Sequence, residues 1–220
     1  MGIVLVSAAA AVGLILFGIF GYLRTYPPTV SAVASSTQPN TVNLTMQVDG
    51  AVGTGPHPNW VGWYIKNGAG KWVRTTLVQI PERSYVHVTV LEYDSGGPLR
   101  NEYWGKVSGT VGGVVNLNGK SVSVLNGATG NGIAHTIVAP GLNLAVPVWG
   151  VNGQASNFCQ TGPCGPSEAH NVETFTFYSG ATTHTYRWQC FIPCGVGYLN
   201  GNGGPMSATG YMAGFFKVVA

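Results

Sequence analysis

The stretch Ser84-Tyr85-Val86-His87-Val88-Thr89-Val90-Leu91-Glu92 puts Val86, Val88 and Val90 on one face, with polar and aromatic side chains between them. β-Branched residues at a period of two build a half-buried strand and lose rotamer freedom in a helix. Comparable short runs lie on either side. They are Val42 to Val48, Trp60 to Ile65, Trp72 to Ile80, Gly105 to Val115, Ser121 to Leu125, Ala134 to Val138, Val172 to Phe177, Thr183 to Gln189 and Tyr211 to Val219. Gly, Pro and Asn turns separate them. Many short strands with regular turn signals predict an all-β sandwich or barrel. After residue 25 no stretch keeps a 3.6-residue period for the length of a helix.

The chain has 220 residues, and 8% are charged, against about 25% in ordinary soluble proteins. Its ten Lys and Arg and seven Asp and Glu are scattered and leave a formal charge of +3. Without a basic stripe there is no electrostatic footprint for nucleic acid. There is no Gly-x-Ser-x-Gly elbow, phosphate loop or His-Glu-x-x-His helix, and dispersed carboxylates give little support for acid/base catalysis. The chain reads as no enzyme by itself.

Ile3 to Leu23 is 21 residues without a charge, long enough to cross roughly 30 Å of hydrocarbon as a helix. Arg24, Tyr26, Pro27 and Pro28 follow, as they do at the end of a span. The competing reading is a cleaved signal peptide ending near Ala32-Val33-Ala34, although the apolar run is long and no basic residue precedes it. The division expected is a transmembrane anchor over 1–24, a Pro/Ser/Thr-rich linker over 25–41, and a β domain over 42–220 with insertions at about 96–131 and 149–169. The cysteine pairs and the sequon Asn43-Leu44-Thr45 place the domain outside a single-pass cell-membrane anchor, on the extracellular or periplasmic side.

The four cysteines fall in two close pairs. Cys159 and Cys164 flank Gln-Thr-Gly-Pro inside an insertion and read as a local disulfide. Cys190 and Cys194 lie in Tyr186-Arg187-Trp188-Gln189-Cys190-Phe191-Ile192-Pro193-Cys194-Gly195, where a strand delivers both thiols to a loop. Met206 lies in the Gly-rich stretch that follows, and Met212 opens the last strand. Upstream, His135 begins another strand. Thiolate, imidazole and thioether on a rigid β frame are the donors of a copper site built for rapid electron exchange. A Cys190–Cys194 disulfide with no metal is the other reading of the same residues.

The C-terminal pattern resembles the cupredoxin domain of cytochrome c oxidase subunit II, over residues 72 to 94 and 132 to 219 together with the anchor. The resemblance implies a cupredoxin-like Greek-key β-sandwich behind one N-terminal transmembrane helix. It also implies a copper centre held by His135, Cys190, the Ile192 carbonyl, Cys194 and Met212, with Met206 as a further candidate. The partners it implies are a polytopic haem-copper oxidase subunit I, the membrane, and a soluble or membrane electron donor. The chain departs from the family at Tyr198, which stands where the second copper-binding histidine is expected, and in the longer loop before Met212. A metal-free structural subunit of a quinol oxidase and a stand-alone surface copper protein are the alternatives.

Overall fold

The structure, a computed structural model, describes residues 2–19, 27–195 and 204–220. Tyr198 and the end of the expected anchor lie outside the described residues. Among the described residues one α-helix, α1 (Gly2–Leu16), precedes fourteen strands. These are β1 (Thr29–Ser31), β2 (Val33–Ala34), β3 (Thr41–Asp49), β4 (Gly62–Lys66), β5 (Trp72–Arg74), β6 (Leu77–Pro81), β7 (Tyr85–Glu92), β8 (Val115–Leu117), β9 (Lys120–Val122), β10 (Ile133–Ala139), β11 (Leu144–Trp149), β12 (Asn171–Tyr178), β13 (His184–Gln189) and β14 (Ala213–Val219). They form two mixed sheets. One has the order β1-β6-β14-β13-β10-β11, and the other β5-β4-β3-β7-β12-β8-β9 with β2 beside β3.

The alternation in β7 does what its period requires. Val86, Val88 and Val90 are buried between the sheets with Leu44, Met46 and Val48 of β3 and Phe175 and Phe177 of β12. From the facing sheet come Val78 and Ile80 of β6, Ile137 of β10, Trp188 of β13, and Phe216 and Val218 of β14. Apolar area removed from water at about 25 cal/mol per Å² is the dominant favourable contribution to such a core.

The strand pattern differs from expectation at four places, each for a local reason. Trp72 to Ile80 is two strands, because the chain changes sheets at Thr75 and Thr76. Both threonines are buried, and their hydroxyls donate to the carbonyls of Pro28 and Ala213. Gly105 to Val115 is not one strand. Gly109, Gly112 and Gly113 take positive φ, a backbone region glycine enters without steric cost. β11 escapes the sequence pattern because it carries Pro147, and it lies at a sheet edge, where a missing N–H is tolerated. Within the expected linker, β1 pairs in parallel with β6 and β2 pairs with β3.

The expected single-pass membrane location is corrected. Among the described residues no helix is long and apolar enough to cross a membrane. The 15 residues of α1 rise about 22 Å at 1.5 Å each, short of the ~30 Å hydrocarbon layer.

Candidate metal centre

His135 belongs to β10 in the first sheet. The register against β11 slips by one residue between Ile133 and His135. Such a bulge re-aims the side chains beyond it, and His135 is 1% exposed. Cys190 follows directly on β13, the neighbour of β10 in the sheet. Its backbone N–H donates to the Met212 carbonyl (3.0 Å), which ties the end of β13 to the start of β14. The loop then turns at Ile192 and returns Cys194 to the interior.

The outcome is one cluster. The ligand atoms of His135, Cys190 and Cys194 all lie within 4.8 Å of one another, and all three residues are buried. Among the described residues it is the only such group of three drawn from His, Cys, Asp and Glu. The Ile192 carbonyl lies 3.4 Å from Cys190 Sγ. Met212, fully buried, and Met206, half-buried, belong to the apolar cluster that also contains both cysteines. Both thiols are free, whereas Cys159 and Cys164 form a disulfide.

Two residues that sequence reasoning did not single out complete the surroundings. Asp94 Oδ2 lies 3.1 Å from His135 Nε2. The Thr136 hydroxyl accepts from the Phe191 N–H (2.9 Å) and lies 3.9 Å from Cys190 Sγ, so it pins the cysteine loop to β10. No local motif marks either one. Asp94 is separated from His135 by 41 positions and Thr136 from Cys190 by 54, and only the sandwich brings them together.

The electrostatics favour ionised partners. Burial opposes the imidazolium of His135, yet Glu92, Asp94 and Cys190 together hold its pKa well above the ordinary value. Burial likewise opposes the Cys190 thiolate, but neighbouring Cys194 and His135 bring that thiol well below its ordinary value. The hydrogen bond to Cys190, and then burial, push Cys194 the other way, so one proton stays in the thiol pair. Burial raises Glu92, and the charge of His135 only partly offsets it.

These residues fit a soft metal ion. His135 Nδ1 is buried with no hydrogen-bond partner, and the imidazole belongs to the same tight group as two sulfurs. Thiolate and imidazole together suit copper, with zinc sharing part of the preference. The group also borders a cleft of about 660 Å³, whose walls include Asp94, Arg100, Trp104, His135, Phe191 and Cys194. Trp104 packs 4.9 Å from the Phe191 ring, and Trp63 lies 6.5 Å from the His135 ring.

No protein-family model matches the chain, and no curated protein does. Among solved structures it is similar to rusticyanin from Thiobacillus ferrooxidans, at 16% identity over 87% of this chain and 82% of that one, with a TM-score of 0.33. It is also similar to a rusticyanin variant in which a histidine is replaced by methionine (14% identity, 89% and 86% covered, TM-score 0.35). A third is a further structure of the copper protein rusticyanin (16%, 86% and 86%, TM-score 0.35). Likenesses this distant assign neither family nor ligand, so the functional reading rests on the chain's own geometry.

Proposed function

We propose that this chain is a cupredoxin-like copper protein that carries single electrons. The observation behind this reading is the convergence of the His135 imidazole with the sulfurs of Cys190 and Cys194 between two packed sheets. The Ile192 carbonyl and the Met212 thioether are the remaining donors we assign, and Met206 is the lesser candidate. Bound copper would supply a one-electron couple. The protein's part is to hold the donors still, exclude water and limit rearrangement between oxidation states. His135 comes from a bulged strand, Cys190 from the end of a paired strand, and the Thr136 hydroxyl fixes the loop between the thiols. Such a frame keeps the donor positions nearly constant whichever charge the ion carries.

A stand-alone copper protein is the form of this reading we favour. Subunit II of a haem-copper oxidase is the finer alternative. It adds a polytopic subunit I as partner, and co-purification of the chain with a large haem protein would support it. The decisive test is metal analysis of the purified full chain together with its absorption spectrum. Stoichiometric copper with a visible thiolate-to-copper band is expected. A colourless chain whose 190/194 pair has oxidised to a disulfide, and which takes up no copper after reduction, would overturn the proposal.

A further inference from the structure

Asp94 lies two residues beyond the end of β7 and is held at three points. Its backbone N–H donates to Glu92 Oε1 (2.6 Å), its Oδ1 accepts from the Ser95 N–H (2.8 Å), and its Oδ2 faces His135 Nε2 (3.1 Å). The β3–β4 connection closes on it from another side, where a Cβ added to Gly50 would come 2.9 Å from Oδ1. A turn-capping aspartate needs only the Ser95 bond. The second oxygen is spent on an imidazole that is 1% exposed, while Asp94 itself is 18% exposed beside the cleft.

We infer that Asp94 is the positioning residue of the centre: by accepting the Nε2 proton of His135 it fixes Nδ1 as the donor that faces Cys190 and Cys194. The inference rests on the metal reading above. A neutral imidazole carries one N–H and one lone pair, and the hydrogen bond at one nitrogen decides which atom is left to bind. A carboxylate at Nε2 also raises the basicity of the ligating nitrogen, and loss of such a partner weakens metal affinity about 10–100-fold. Burial makes the assignment strict, because a ring this enclosed has little access to water that could replace Asp94.

The test uses the full chain and Cu(I), whose closed shell permits nitrogen NMR. Affinity is read by competition with a chromophoric chelator, and coordination by ¹⁵N shifts of His135. In the parent chain Nδ1 should be coordinated and the Nε2 proton should exchange slowly with water. Asp94→Ala should weaken Cu(I) binding about 10–100-fold, with fast Nε2–H exchange and part of the ion moved to Nε2. Asp94→Asn keeps a carbonyl acceptor and should restore Nδ1 coordination with a smaller affinity loss. Should Asp94→Ala not fold, Gly50→Ala displaces the carboxylate without removing a polar atom and should speed Nε2–H exchange. Parental affinity and Nδ1 coordination in these variants would overturn the inference. If the parent chain takes up no Cu(I), the proposed function falls. The metal-free chain then still judges Asp94, through a hydrogen-bonded Nε2 proton present in the parent and absent from Asp94→Ala; its persistence in Asp94→Ala would overturn the positioning role.

Discussion

Cys159 and Cys164 are five positions apart and Cys190 and Cys194 four, and both pairs are buried. One is a disulfide and the other two free thiols. The first pair packs against Tyr93 in a loop laid over the end of β3, where Gly162 presses on the buried carboxyl of Asp49. Acidic groups surround that loop: Asp94 and Glu168 both act on Asp49. The second pair ends a core strand between the sheets and meets an imidazole and a hydroxyl. Spacing in the sequence permits either chemistry. The neighbours supplied by the fold decide which sulfurs are set up to bind a metal ion and which serve as a staple.

The sharpest way to break this contrast is substitution within each pair. Cys190→Ser should abolish copper binding and the thiolate band, since it removes the one thiol that the centre ionises readily. Cys159→Ser should leave copper stoichiometry unchanged. Equal copper loss in both, measured by metal analysis on folded protein, would erase the distinction.

Acidity separates the regions next. Burial raises Asp49 to about 7, against a Gln47 amide bond that only partly offsets it. The folded chain therefore keeps a proton that the unfolded chain gives up above the ordinary carboxyl value near 4. With fewer protons bound in the unfolded state, stability falls as pH rises from about 4 to about 7 and then levels off for this group. Glu173, raised to about 8 by burial, extends the decline. The unfolding free energy from urea titrations should thus be higher at pH 5 than at pH 8, by on the order of a few kcal/mol. Asp49→Asn should flatten the lower part of the curve. A profile that rises toward pH 8 would contradict the burial of both carboxyls.

Opening the staple has a smaller effect. A loop this short restricts the unfolded chain by about 2 kcal/mol in the chain-entropy account. Cys159→Ser/Cys164→Ser should lower the urea midpoint accordingly. A loss large enough to prevent folding would mean that the insertion belongs to the core and does not merely lie over it.

The sequence showed β3, β7, β10, β12, β13 and β14 because each carries its own alternation or apolar run. It also brought out the thiols and His135, since strand–loop–strand patterns with Cys and Met are local. What stayed hidden was non-local. Asp94 reads as one more turn residue until β7 lies across from β10. Thr136 reads as a strand residue until the 190–194 loop folds onto it. β11 was masked by its proline and β1 by its polar linker-like composition, because both are edge strands that need little apolar signal of their own.

The mildest test concerns Met212, whose role the apolar cluster alone leaves open between packing and ligation. Leucine has nearly the same volume, and swaps of this kind in a core usually cost under about 1.5 kcal/mol. Packing alone therefore predicts a small midpoint change and an unaltered copper spectrum for Met212→Leu. Ligation predicts the same small midpoint change and full copper content, but a shifted thiolate band and reduction potential, because a weak thioether donor tunes such sites without holding them together. Met206→Leu serves as the control. It shares the apolar neighbourhood but lies in the turn at Gly204–Ser207, so a spectrum that moves with Met206 and not with Met212 would exchange the two assignments while leaving the imidazole and thiols in place.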